Sequence, residues 1–210
     1  MKKEPIQLSD HFTYRRLIRF TIPSIAMMIF TSIYGVAAYG VVMYVCMIFL
    51  AAFIGYTVGV SPVIGFHYGA ENYDELKSLR KKSLRIVGVC AVVMFLLAEF
   101  LLARPLALLF VGYDQGLMEL TLHAFKIFSF VFLFAGFAIF GSGFFTALNN
   151  GLISALIAFL RSLVFEVAAV LLLPLLFGLD GIWFSTAAAE LVAATLALSL
   201  MAVFRKKYRY

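Results

Sequence analysis

Three carboxylates fall inside otherwise apolar stretches: Glu99, Glu166 and Glu190. An acid at that depth costs roughly 3 kcal/mol or more unless it is protonated, paired or hydrated. A carboxyl that passes between those states can carry a proton or hold a cation. Glu166 is the strongest candidate, in the middle of Leu163-Val-Phe-Glu-Val-Ala-Ala-Val170. The competing reading is a glutamate that snorkels or hydrogen-bonds to a neighbouring helix. Arg161 is a candidate partner, but a five-residue offset is poor for one helical face. Glu190 stands among small residues, Ala187-Ala-Ala-Glu-Leu191, a composition that lets helices close on one another. That favours a buried structural hydrogen bond over proton carriage. Glu99, beside Arg104, is expected at an interface.

Other chemistries find little support. Phe130, Phe132, Phe134, Phe137 and Phe140 could line a cavity for bulky cations through their ring faces, against the plainer reading of lipid-facing or core packing. His11, His67 and His123 lack ligand spacing, so no metal site is expected. Cys46 and Cys90 sit in apolar runs and are expected to pack as small core residues. No nucleophile–base set and no phosphate loop occur, so neither a cofactor nor direct ATP hydrolysis is implied.

The elements that must position these residues are set by composition. Of 210 residues, 64% are hydrophobic and 13% charged, and the mean hydropathy is +1.02. A soluble domain of this size cannot hide that much apolar surface, and the runs lack the alternation of a transmembrane barrel. An all-α integral membrane protein with about six transmembrane helices is expected. No Asp, Glu, Lys or Arg occurs between Arg19 and Glu71. As one helix, that stretch would reach roughly 75 Å, against a hydrocarbon core of about 30 Å. A turn is therefore expected at Gly35-Val-Ala-Ala-Tyr-Gly40, dividing a first span (17–36) from a second (41–62). Gly55-x-x-x-Gly59 in the second is a candidate helix-contact motif.

The polar stretch from His67 to Lys82 suggests a short helix opened by Asp74 and Glu75, either lying on the membrane surface on Leu76, Leu79 and Leu84 or forming a solvated charged loop. Further spans are expected at 83–103, closed by Arg104-Pro105, then at 121–147, 152–177 and 182–204. Turns fall at Asn149-Asn150-Gly151 and Gly178-Leu-Asp-Gly181.

Six spans would gather the basic clusters at 2–19, 77–85 and 205–209 on one side, leaving Arg104 and Lys126 opposite. Under the positive-inside rule both termini are then cytoplasmic, in the cytoplasmic membrane. The net charge of +6 needs no nucleic acid. The early lysines are interrupted by Glu4 and Asp10, so no cleaved signal peptide is expected.

At this point a family resemblance emerges. Tyr56-Thr-Val-Gly-Val-Ser-Pro-Val-Ile-Gly-Phe-His-Tyr-Gly-Ala-Glu-Asn-Tyr-Asp-Glu-Leu-Lys77 closely resembles the loop signature of MATE (multidrug and toxic compound extrusion) efflux transporters. Phe144-Phe-Thr-Ala-Leu-Asn-Asn-Gly151, Leu160-Arg-Ser-Leu-Val-Phe165 and Gly178-Leu-Asp-Gly-Ile-Trp183 are similar to the family's C-terminal lobe in order and spacing. Leu17-Ile-Arg-Phe-Thr-Ile-Pro-Ser-Ile-Ala26 instead resembles the start of its first helix. Together they cover nearly the whole chain.

The resemblance implies one lobe of a twelve-span transporter, with a large internal deletion. Residues 1–40 would be a cytoplasmic N-terminus and first-helix remnant, and 41–210 a C-terminal-lobe-like bundle. Pro23 matches the family's first-helix proline, and Tyr34 stands at the junction. Ala37 and Ala38 follow where the family carries a coupling acid. The implied function is multidrug efflux by antiport of a proton or sodium ion against small lipophilic or cationic substrates, with Glu166, Glu190, Pro23 and Tyr34 as coupling candidates. With one lobe missing, activity would be impaired or depend on a homodimer. The alternative is a fragment that inserts among lipids and transports nothing. No enzyme activity is implied.

Overall fold

The computed structural model describes the backbone from residue 14 onward and the side chains from residue 36 onward. Among the described residues every regular element is helical. Helix α1 (Tyr14–Gly69) is continuous over 56 residues, so the expected turn at Gly35–Gly40 is not formed. The reason lies in the residues between the two glycines. None of Val36, Ala37, Ala38 and Tyr39 is an N-cap type or a proline, and a turn in apolar surroundings would leave backbone groups without partners. Glycine permits a turn but does not compel one.

Among the described residues, four helical segments are long and apolar enough to cross a membrane, and a bent pair makes a fifth. These correspond to the five spans expected from 41 onward, and the expected first span, 17–36, lies outside the residues whose side chains are described. The all-α membrane bundle itself stands.

After α1 the chain turns at Glu71, which takes φ 55°, and Asn72 caps α2 (Tyr73–Leu96) by accepting from the Glu75 amide at 3.2 Å. The charged stretch is thus neither a separate surface helix nor a loop. It is the end of α1 and the opening of a span, and Leu76 is fully buried in the bundle, with Leu79 and Leu84 packed against the same cluster. A π-helical turn, Leu97–Leu102, precedes α3 (Ala103–Val111). Pro105 near the start of α3 lacks the amide that a regular α-turn would require, which is consistent with the wider coil just before it. The span therefore runs past Arg104-Pro105 to Val111.

Asp114 caps α4 (Gln115–Phe128) by accepting from the Leu117 amide at 3.0 Å. A 45° bend separates α4 from α5 (Val131–Ala147). At that bend Ser129 donates to Glu99 at 2.9 Å, so Glu99 is tied to the bend of the bundle. As expected, Asn149 and Asn150 make the next turn. Asn149 takes φ 57° and Asn150 caps α6 (Gly151–Phe159). A second π-helical turn, Leu160–Phe165, leads into α7 (Glu166–Phe177). Gly178 at φ 59° then reverses the chain into α8 (Leu179–Val203), followed by the short α9 (Arg205–Tyr208).

Helix α5 is central, packing on α1, α2, α6 and α8. Its small residues make this possible. A Cβ at Gly136 would stand 2.5 Å from the Phe53 ring of α1, and one at Gly141 would stand 2.7 Å from Ala197 of α8. Gly55 and Gly59, the expected contact motif, have nothing within 4 Å. The close approach is made by α5 instead. Phe132 and Phe140 are buried in the core, where Phe132 packs edge-on against Phe49 at 4.8 Å. Packing is the better account of these two rings than a cation cavity. Cys46 is buried and both cysteines are free.

Candidate functional site

Within the bundle, the chemistry gathers where α1, the second π-helical turn, α7 and α8 meet. On α8, Trp183, Thr186 and Glu190 recur at intervals of three and four, which places them on one face. Opposite them, Arg161 and Glu166 are five residues apart. In a regular α-helix that offset would turn them away from each other. The intervening turn, Leu160–Phe165, is π-helical, with i→i+5 bonding, so residues five apart come into line. Both side chains consequently reach α8.

They do not reach each other, however. Arg161, a candidate partner of Glu166 whose five-residue offset counted against it, pairs with Glu190 instead. The guanidinium Nε donates to both carboxylate oxygens at 2.9 Å, and Nη2 donates to Oε1 at 2.6 Å. The Glu190 side chain is 8% exposed and that of Arg161 22%. The small neighbours Ala187, Ala189, Ala193 and Ala194 are buried around this contact. Glu190 is thus in the buried structural role that its neighbours suggested, as one half of an ion pair.

Glu166 is half-buried and has a different partner. The Thr186 hydroxyl donates to its Oε1 at 2.9 Å. Thr186 is four residues before Glu190, so one face of α8 engages both carboxylates. Tyr39 packs against Trp183 at 5.9 Å. The indole nitrogen of Trp183 is buried without a hydrogen-bond partner, which is costly in an apolar setting.

The two carboxylates therefore differ in what they can do. Glu190 has its charge matched by a bidentate guanidinium, a strong arrangement. Glu166 accepts instead from a neutral hydroxyl donor, with no guanidinium hydrogen-bonded to it among the described residues. Thr186, Trp183 and Tyr39 did not stand out in the sequence. The signal for Thr186 and Trp183 was their spacing from Glu190. For the ion pair it was the presence of one buried base and one buried acid in neighbouring spans. Pro23 and Tyr34 lie outside the residues whose side chains are described. Among the described residues, no three of His, Cys, Asp and Glu are grouped to hold a metal ion.

Several solved structures share this architecture. An outward-facing multidrug resistance MATE family transporter of the MOP superfamily superposes with a TM-score of 0.77 at 20% identity, over 97% of this chain and 50% of its own. A MOP superfamily transporter from Pyrococcus furiosus gives 0.76 at 20% identity, over 98% and 50%. The Vibrio cholerae MATE transporter VcmN, in its bent form, gives 0.74 at 19% identity, over 92% and 44%. The chain thus spans about half the length of the transporters it resembles. No curated protein matches it in sequence. The MatE family model matches residues 16–172, through α1 to the middle of α7. With the ordered motifs, the apolar helices and the shared architecture, that match settles the lineage: this multi-pass membrane protein belongs to the MATE family.

Proposed function

We propose that the chain serves efflux, exporting small lipophilic or cationic compounds across the cytoplasmic membrane in exchange for a proton or sodium ion. The observation that carries this reading is Glu166, a carboxylate within the spans whose recorded partner is the neutral Thr186 hydroxyl. Arg161 and Glu190 clamp the second π-helical turn to α8. Glu166, one turn further on, is left to exchange its counter-ion as the site opens to one side or the other. Residues 1–40 act as the remnant of a first helix joined to the lobe formed by 41–210. Two copies of the chain supply the two halves that alternating access requires. The basic end of the bundle, with Lys77 and Arg205, faces the cytoplasm.

The test is efflux of a fluorescent dye from cells expressing the chain, with membrane insertion verified. Export that an uncoupler or sodium removal stops, and that Glu166→Gln abolishes, is the expected result. A chain that supports efflux in cells yet is strictly monomeric when extracted in mild detergent would remove the paired-lobe part of the reading.

A second reading is favoured by one observation. Ala37 and Ala38 stand where the family resemblance places a first-helix acid, and Ala38 is fully buried. On that reading the chain is an inserted but non-transporting fragment. Correct insertion with no efflux under any gradient would select it.

A further inference from the structure

The end of the bundle where α2 begins and α8 finishes carries a feature that the chemistry of Glu166 does not use. Lys77 of α2, Arg205 and Lys206 of α9, and Arg209 beyond it line a cavity of about 500 Å³, together with Ala202 and Tyr210. Four cations, one from α2, two from α9 and one just beyond it, thus face one space. Among the described residues, no side-chain carboxylate lies within 4.0 Å of any of them. Glu75, which shares their end of the bundle, is paired with Lys82 at 3.4 Å.

The floor of this cavity is fixed. Tyr210 is 1% exposed, and its hydroxyl donates to the Met201 carbonyl at 2.9 Å. Its ring stands edge-on to Phe144 at 4.9 Å, and the Arg80 guanidinium lies 5.2 Å from its centre. The Arg80 Nε is buried without a hydrogen-bond partner. Arg205 Nε donates to the main-chain oxygen of Tyr210 at 3.2 Å, which orients its fork. Like charges held this way repel one another, offset in part by the Tyr210 oxygen on Arg205 and by the Tyr73 ring 5.5 Å from the Arg209 guanidinium.

We propose that this cavity binds a phosphate-bearing anion, either the headgroup of an acidic phospholipid or a free phosphate ester. Two guanidiniums offer planar forks to phosphate oxygens, and two ammoniums add point charges without geometric demand. The last apolar turn of α8 ends at Val203, so the cavity sits at the edge of the spans, at the depth of lipid headgroups.

The whole protein, purified in mild detergent, is titrated with phosphatidylglycerol or phosphatidylcholine, and bound lipid is counted by native mass spectrometry. The expected result is one tightly held phosphatidylglycerol and weaker phosphatidylcholine. Lys77→Gln with Arg209→Gln should weaken it about thirtyfold, at about fivefold per cation. Lys81→Gln with Arg85→Gln removes as much charge from exposed positions at the same end, outside the cavity, and should change binding little. If the first pair does not fold, Lys206→Gln alone should weaken binding about fivefold. Soluble glycerol phosphate separates the sources. Displacement of the lipid at millimolar concentration identifies a free phosphate ester, and retention of the lipid identifies a headgroup site. Equal retention of the two lipids with no glycerol phosphate bound would overturn the proposal. So would equal weakening by the two variant pairs, which would mean diffuse surface charge.

Discussion

Replacing Arg161 by methionine tests the architecture of the site directly. The change removes three charge-assisted hydrogen bonds and leaves Glu190, 8% exposed, as a buried acid without its counter-charge. Breaking a buried pair from one side costs about 3–5 kcal/mol. Arg161 is itself 22% exposed, which argues for the lower end, about 3 kcal/mol. For a chain of this length that corresponds to a fall in Tm of roughly 6–12 °C. Trp183 is the only tryptophan and stands two turns before Glu190 on the same face of α8. Its fluorescence during thermal unfolding in detergent therefore reports from beside the perturbed pair. The companion variant, Arg161→Met with Glu190→Met, removes both charges and fills the space with apolar atoms. It should recover most of the loss, since a well-packed apolar pair does about as well as a buried ionic one. A single-variant loss no larger than a surface substitution would refute the reasoning. So would a double variant as unstable as the single, because the cost would then not arise from an orphaned charge.

Three further outcomes follow from the geometry. Thr186→Val removes the donor to Glu166 while keeping the shape of the side chain. It should cost about 1 kcal/mol in thermal unfolding and alter the pH or sodium dependence of efflux more than its maximal rate. Gly141→Leu forces bulk against Ala197, where even a Cβ would stand 2.7 Å away. It should destabilise the α5–α8 contact by about 1–3 kcal/mol or more, whereas Gly55→Leu, with nothing within 4 Å, should be nearly silent in the same melt. Gly178→Ala places a Cβ at φ 59° and ψ −133°, a region all but reserved for glycine. About 1–3 kcal/mol of strain is expected, read as a lower Tm with unchanged helix content by circular dichroism.

Much of this molecule was legible in its residues. Apolar run lengths gave the membrane class, and the Asn149-Asn150 and Gly178 turns fell where polar and glycine signals put them. The basic clusters of α2 and α9 do share one end, as the Arg209 guanidinium over the Tyr73 ring demonstrates at 5.5 Å. The failures share a physical origin. At Gly35–Gly40 the reasoning used the thickness of the bilayer, but backbone hydrogen bonding in apolar surroundings favours continuing the helix. At Gly55 and Gly59 spacing alone suggested a contact, yet which face of a helix meets a neighbour is a tertiary fact. The Arg161–Glu190 pair was hidden because α-helical periodicity set Arg161 and Glu166 on different faces. A single wide turn overturns that periodicity.

That wide turn has a consequence for how the chain tolerates change. A π-helical coil behaves as one extra residue carried inside an α-helix. Were this turn to close as regular α-helix with every residue kept, everything beyond it would turn by about 100°. Arg161 and Glu166 would then lie on different faces, although neither had been replaced. Deleting one of the uncharged positions 162–165 would instead leave the two residues four apart in a regular helix, on one face, so the site rests on the shape of this turn as much as on the identity of its residues.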